Sequence, residues 1–321
     1  MIIITGIKKT CGLPDAGTIF LWTASLFTLA YFLRSPELAA ASVRAALTVC
    51  AAGLIPSLFP YIVLVGIMNS SGLSAKLSAL IGKPFSFLFG ITGAAANAFF
   101  LGAVGGFPIG AVCVGELYKS GAVTKEEAER LCAFTGNASP AFCIGSIGIA
   151  LFGDAALGVR FYVYSLMSAV LVGIVLRIGK ARTGTPHLCA KRGSSRPPAA
   201  DILTSAVTNG GLTMLKICAF AVFFAVIGDA ACHVLQSLSG EFTAAVCASF
   251  FELTLAGRRC AALSTNASQV LCAFAIGWSG LSVHMQTAAV LAHSGIRLTK
   301  YTAGKLLQGL FCAVLFLISG I

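Results

Sequence analysis

Residues 101–111 read LGAVGGFPIGA, and residues 273–283 read AFAIGWSGLSV. Each stretch lies inside a long segment without Asp, Glu, Lys or Arg, 84–115 in the first case and 260–296 in the second. Both segments exceed the ~20 residues that one helix needs to cross a bilayer, while glycine weakens a helix and proline removes a backbone donor. The sequence therefore predicts two membrane-embedded segments whose helices are interrupted near mid-membrane.

The rest of the chain has the composition of a membrane protein. Of its 321 residues, 57% are hydrophobic and 10% are charged, against roughly 25% charged in a soluble domain. The net charge of +11 comes from short basic segments, which we interpret as topology signals and anionic-lipid contacts and not as a nucleic-acid surface. The 12 cysteines mostly stand singly in apolar segments and predict core-filling thiols. We expect an all-α, polytopic transmembrane protein of about eight spanning or half-spanning segments.

A basic interval divides the chain into two apolar parts. Residues 177–196 carry basic residues and no acidic one, so the positive-inside rule places this interval, like Lys8 and Lys9, in the cytoplasm. If residues 16–33 cross the membrane once, the two parts have inverted topologies. The predicted organisation is an N-terminal transmembrane helix (1–35), a first repeat (36–178), a basic cytoplasmic linker (179–200) and a second repeat (201–321).

The two parts share an order of features, which indicates an internal duplication. Each interrupted segment is followed by a Ser-Gly pair, beginning at Ser120 or Ser294, and then by a Thr-Lys pair at Thr124 or Thr299 that opens a helix. Paired interrupted segments in corresponding positions are typical of a transporter's binding site. The alternative is that the glycines only allow helices to pack closely.

Polar groups and interrupted backbone within the apolar segments form the candidate substrate-binding site. Glu252 lies within an apolar helical pattern, where an ionisable side chain is costly unless it is paired or hydrated, and His284 follows the second interruption. We expect both to line one polar cavity with Asn97 and the backbone of Gly105 and Gly106. The candidates are Asn97, Gly105, Gly106, Phe107, Pro108, Gly110, Asn137, Ser139, Glu252, Thr254, Gly277, Ser279, Gly280, Ser282, His284 and Gln286.

Some of these polar residues have a structural alternative. Asn137 could equally cap a helix, and the sequence from Thr124 to Glu127 predicts a capping box. The sequence contains no G-x-S-x-G, H-E-x-x-H or P-loop motif, and no other catalytic constellation can be assembled. We therefore expect no enzyme activity, no catalytic residues, no cofactor and no metal.

The order of the motifs resembles the sporulation integral membrane protein family, whose members carry a nucleoside-recognition (Gate) domain. The motifs are LIPSLFP (54–60), GGFPIGA (105–111), TKEEAERL (124–131), NASP (137–140), FELT (251–254) and GLSVHMQ (280–286). The resemblance implies a multi-pass, permease-like body in the bacterial cytoplasmic membrane and a role in endospore formation.

Together the interrupted segments and the resemblance favour a permease or channel-like transporter of a small solute. The alternative is a non-transporting membrane scaffold for spore-envelope assembly. The expected partners are the lipid bilayer and a small-molecule or ion solute, with a second copy of the chain or other sporulation membrane proteins as further candidates. Nucleic acid is not expected.

Overall fold

A computed structural model of the chain describes residues 16–179 and 197–320. These residues form helices joined by short connections, with no strand in either range. Lys8, Lys9 and residues 180–196 of the predicted linker lie outside the described residues, so their cytoplasmic placement and the inverted topology stay predictions. The all-α fold predicted from the sequence is confirmed.

The first described range contains eight α-helices. Cys50–Leu54 is a π-helical turn before the third of them, Gly93–Ala95 is a 3-10 turn before the fifth, and Ala141–Phe152 is a π-helix before the eighth. The α-helices are α1 (Ala16–Arg34), α2 (Pro36–Val49), α3 (Ile55–Ser70), α4 (Leu73–Phe89), α5 (Ala96–Gly105), α6 (Ile109–Lys119), α7 (Lys125–Thr135) and α8 (Ala155–Val175).

The second described range begins with a helix of 41 residues, which at 1.5 Å per residue is about 60 Å long. Five shorter helices follow it. The helices are α9 (Ala199–Ser239), α10 (Glu241–Phe251), α11 (Leu253–Leu263), α12 (Asn266–Trp278), α13 (Gly280–Leu291) and α14 (Thr299–Ile318).

Several of these helices are long and apolar enough to cross a membrane. Four candidate spans occur among the described residues: Pro36–Leu54, Ala155–Val175, Ala199–Ser239 and Thr299–Ile318. Leu80–Phe89 and Gly93–Gly105 form a fifth if the pair, bent by 106°, counts as one span. The chain is therefore a multi-pass membrane protein, as the sequence predicts.

The chain divides into two compact units, Met1–Ala41 and Ser42–Ile321. In the first unit, α1 covers the predicted N-terminal helix, whose crossing of the membrane stays a prediction. The second unit contains most of both predicted repeats. Within it α14 packs against α7, α8 and α12, while α9 packs against α3 and α10. The ten cysteines in the described residues are free and mostly buried, in agreement with their predicted role as core-filling thiols.

Local sequence signals set several helix starts. The predicted capping box is present at α7, where the backbone N–H of Glu127 donates to Thr124 Oγ1 over 3.2 Å and the Thr124 N–H donates to Glu127 Oε2 over 2.9 Å. Asp154 caps α8 in a similar way, because its Oδ1 accepts from the N–H of Leu157 over 3.1 Å. These caps satisfy backbone donors that the first turn of a helix leaves free.

Candidate functional site

Two helix interruptions in the first described range touch each other. One separates α5 from α6 at residues 106–108, as predicted, and the other separates α7 from the π-helix at residues 136–140. Gly106 has a φ of 80°, which glycine tolerates best, and a Cβ there would lie 3.0 Å from the Cβ of Ser139. We call these two interruptions the first pair of breaks.

Two interruptions in the second range touch each other in the same manner. Glu252 separates α10 from α11, and Ser279 separates α12 from α13. Ser279 has a φ of 77°, and Gly280 follows it with a φ of 72°. A Cβ on Gly280 would lie 3.2 Å from the backbone nitrogen of Glu252. We call these two interruptions the second pair of breaks.

A small cavity lies between the two pairs of breaks. It encloses about 40 Å³ that the centre of a water molecule can reach, and about 10–15 Å³ of such space holds one water. Residues at both pairs contribute to its wall, together with residues before and within α3 and in the middle of α9. The lining residues are Leu54, Leu58, Phe107, Ser139, Phe142, Ile217, Ala221, Glu252, Leu253, Thr254, Val283 and Gln286.

Glu252 supplies the carboxylate of this cavity. The prediction that it lies inside a helix is wrong, because its backbone is extended (φ −150°, ψ 133°) and its side chain caps α11. Glu252 Oε2 accepts from the N–H of Leu255 over 2.7 Å and from the hydroxyl of Thr254. The side chain is 4% exposed. Desolvation of the carboxylate is thus offset on one oxygen by two donors.

The other polar groups of the wall are hydroxyls and an amide. Ser139 Oγ accepts from the N–H of Phe142 over 3.1 Å and so caps the π-helix. On α13, Gln286 Nε2 donates to Ser282 Oγ over 3.3 Å. The wall therefore combines a few donors and acceptors with apolar side chains over most of its area.

Beside the cavity, a buried lysine closes the first pair of breaks. Lys305 on α14 is fully buried, and its Nζ donates to the carbonyl oxygen of Gly136 over 2.5 Å and to Gln308 Oε1 over 2.7 Å. The same Nζ lies 5.1 Å from the centre of the Phe107 ring. Gln308 Nε2 in turn donates to Asn137 Oδ1 over 2.9 Å. The carbonyl end of α7 thus meets a buried lysine donor, and a donor at this end of a helix is favoured by the helix dipole.

An aromatic cluster braces the second pair of breaks. The ring centres of Trp278 and His284 lie 4.3 Å apart, and those of His284 and Tyr301 lie 4.9 Å apart. His284 Nδ1 is 2.8 Å from the carbonyl oxygen of Gly280, so this nitrogen is the donor and Nε2 is left as an acceptor. Neither His284 Nε2 nor Trp278 Nε1 has a hydrogen-bond partner among the described residues.

The structure brings part of the predicted site together. Five of the predicted residues line the cavity: Phe107, Ser139, Glu252, Thr254 and Gln286. Ten others lie at or beside the breaks without forming its wall: Gly105, Gly106, Pro108, Gly110, Asn137, Gly277, Ser279, Gly280, Ser282 and His284.

Two predicted neighbours of Glu252 lie elsewhere. Asn97 Nδ2 donates to Asn69 Oδ1 on α3 over 3.3 Å, and Asn97 does not line the cavity. His284 is also absent from the wall, because its ring packs between Trp278 and Tyr301. The expectation of one cavity shared by Asn97, His284 and Glu252 is therefore wrong in its geometry.

The sequence did carry a signal for Lys305 and Gln308, which were not among the predicted residues. Lys305 is the last charged residue of the sequence, and it stands within a predicted apolar helix. Gln308 follows three residues later, a spacing that puts two side chains on one helical face. A lone charge paired with an amide in this way indicates a buried polar contact.

The fold and the cavity define an all-α, multi-pass membrane protein with interrupted helices around a small, mostly apolar cavity that holds one carboxylate. The chain is similar to the sporulation integral membrane protein YlbJ of Bacillus subtilis (strain 168), with 24% identity over 337 residues that cover 94% of this chain and 82% of the relative. No protein-family model matches the chain, and no solved structure matches it. The similarity agrees with the sporulation family named from the motifs, while the Gate domain stays a prediction.

Proposed function

We propose that this protein is a permease for a small solute and that the cavity between the two pairs of breaks is its binding site. The observation that carries the proposal is the buried Glu252 carboxylate facing a cavity that interrupted helices surround. Interrupted backbone at membrane depth is tolerated where it is buried in protein or lines a hydrated cavity. An ionisable side chain at such a position is a functional candidate by default.

The arrangement of the breaks supports the proposed internal duplication. The first and second pairs each consist of two interrupted helices in contact through a glycine, Gly106 in one and Gly280 in the other. Secondary transporters place their solute between such repeats, and movement of one repeat against the other exposes the site to each side in turn. A Gate-like body of this kind is part of the proposal.

We further propose a role in endospore formation, on the basis of the similarity to the sporulation integral membrane protein of Bacillus subtilis. A membrane scaffold for the spore envelope is the second candidate. It draws support from Gly277, where a Cβ would lie 2.7 Å from the Cα of Gly309, so this glycine serves the close packing of α12 on α14.

Uptake into proteoliposomes tests the permease. Purified protein is reconstituted, and the uptake of a panel of labelled small metabolites is compared with that of protein-free liposomes. Ala221→Leu adds a larger side chain to the wall and so narrows the cavity, whereas Ala219→Leu adds the same atoms at an exposed position on the same helix. We expect uptake in the wild type and in Ala219→Leu and its loss in Ala221→Leu.

A scaffold gives a different result in the same assay. No member of the panel would enter faster than in protein-free liposomes, and the two alanine variants would behave alike. That outcome would reject the permease and leave the scaffold as the proposed function.

A further inference from the structure

The two oxygens of the Glu252 carboxylate differ in their contacts. Oε2 accepts from the Thr254 hydroxyl and from the N–H of Leu255. Oε1 accepts neither of these two bonds. Because Glu252 lines the cavity, Oε1 is the oxygen that a ligand in the cavity would use.

The carboxylate also makes no ion pair within the protein at close range. Among the described residues, no lysine, arginine or histidine nitrogen lies within 4.0 Å of it, and this includes Arg258 on α11, the helix that Glu252 caps. A buried charge without a partner is costly, and an opposite charge that reaches it recovers much of that cost. The site is thus suited to a ligand that brings both a positive charge and a hydrogen-bond donor.

The walls restrict what kind of cation fits. Eight of the twelve lining residues are apolar, among them Leu58, Phe142, Ile217 and Val283. A metal ion prefers several oxygen ligands around it, whereas an alkyl group gains by contact with such walls. The space of about 40 Å³ that the centre of a water molecule can reach corresponds to about three waters, so a ligand of a few non-hydrogen atoms fits it.

We infer that the cavity binds a small primary ammonium ion, with its N–H groups donating to Glu252 Oε1 and its alkyl chain against the apolar wall. The inference rests on the proposed function in that it names the class of solute for the same site. Ser139, Thr254 and Gln286 are the other polar residues of the wall, and Phe107 and Phe142 are its aromatic side chains.

Binding is tested separately from transport. Thermal unfolding of the purified full chain in detergent is followed in ethylammonium, sodium or tetramethylammonium chloride at equal ionic strength. Ethylammonium is expected to raise the Tm in proportion to the logarithm of its concentration above its Kd, by about 5 °C at about 100 times the Kd. Sodium lacks the alkyl chain and tetramethylammonium lacks N–H donors, so neither should raise the Tm in this way.

Variants of the cavity wall test whether the ligand binds in the cavity. Glu252→Gln removes the carboxylate and should abolish the rise in Tm with ethylammonium, while Glu241→Gln, whose carboxylate is 59% exposed, should keep it. If Glu252→Gln does not fold, Ala221→Leu tests the same site with the carboxylate intact, with Ala219→Leu as its control. An ethylammonium-dependent rise that survives in Glu252→Gln or Ala221→Leu, or an equal rise with sodium, would overturn the inference.

Uptake of labelled ethylammonium into proteoliposomes at pH 6, with protein-free liposomes as blanks, separates the two proposals. Binding without uptake would support the inferred ligand and contradict the permease. Uptake of other solutes without any ethylammonium binding would support the permease and overturn the inferred ligand.

Discussion

The first and second pairs of breaks meet the same physical demand in opposite ways. Both interrupt helices of a membrane protein, which leaves backbone and charge to be satisfied. In the first pair, Lys305 donates to Gly136, and Gln308 links it to Asn137. In the second pair, Glu252 places a carboxylate in the wall of the cavity, and its Oε2 accepts from Thr254 and Leu255.

The two pairs differ in whether the protein itself supplies the partner of the polar groups at the breaks. Lys305 is part of the chain, so the Gly136 carbonyl at the first pair has its donor without any ligand. At the second pair, Trp278 Nε1 and His284 Nε2 have no hydrogen-bond partner among the described residues, and the hydrogen bonds of Glu252 to Thr254 and Leu255 use Oε2. If the protein binds a solute, we therefore expect it at the second pair and not at the first.

Removal of the lysine should have the largest effect. Lys305→Met leaves the carbonyl of Gly136 and the Gln308 amide without their buried donor, which we expect to destabilise the protein by about 3–5 kcal/mol. Membrane abundance and the Tm in detergent measure this loss. Lys300→Met is the matched control, since Lys300 is partly exposed in its ion pair with Glu129 and should contribute about 1 kcal/mol or less.

A double variant sharpens the same prediction. Lys305→Met combined with Gln308→Leu removes the amide oxygen that the single variant strands, and an apolar pair can replace a buried polar one at little cost. Partial recovery of abundance is expected. Equal losses in Lys305→Met and Lys300→Met would contradict a special role for the first pair of breaks.

Glu252→Gln should have the next largest effect, on uptake and not on folding. Glutamine keeps the shape of the side chain and an oxygen that can accept from Leu255, so we expect membrane abundance within about twofold of the wild type. Loss of the charge-assisted contact to the solute should lower uptake by about tenfold or more. Glu241→Gln serves as the exposed control. A collapse in abundance would show that Glu252 is structural.

His284→Phe should have a smaller effect. Phenylalanine retains a ring between Trp278 and Tyr301 but loses the hydrogen bond to the Gly280 carbonyl, a contact of about 1 kcal/mol. We expect uptake to fall about fivefold with abundance unchanged. Wild-type uptake in this variant would mean that only the ring packing at the second pair matters.

Thr254→Val should have the smallest effect. It removes one of the two donors to Glu252 Oε2 and leaves the Leu255 N–H in place. We expect uptake to fall about twofold, which corresponds to about half of the free energy of a typical hydrogen bond. Thr243→Val, at a partly exposed position on α10, should leave uptake unchanged, and an equal decrease in both variants would contradict the assignment.

The sequence predicted those features that depend on local residue chemistry. Gly106 and Pro108 cannot continue a regular helix, and the break between α5 and α6 lies where they stand. Thr124 and Glu127 form the predicted capping box for the same local reason. The glycines on either side of Ser279, Gly277 and Gly280, predicted the break that the structure has there.

The rest depends on contacts between distant parts of the chain. Glu252 stands between apolar residues that favour helix, and its role as a cap depends on the extended backbone that it adopts against Gly280. Lys305 meets Gly136 across 169 positions, which no local pattern reveals. Asn97 was placed in the cavity by its polarity alone, and its contact with Asn69 was not predictable from the residues around it.

The long helix α9 connects its start at Ala199 to the wall of the cavity. Its 41 residues run without interruption from Ala199, which follows the basic linker, past Ile217 and Ala221 in the cavity wall. Ile217 lies about 27 Å along the helix from Ala199 at 1.5 Å per residue. A continuous helix transmits a shift or a rotation along its axis. We therefore expect that a shift of the Ala199 end of α9 along its axis displaces Ile217 and Ala221 in the wall of the cavity.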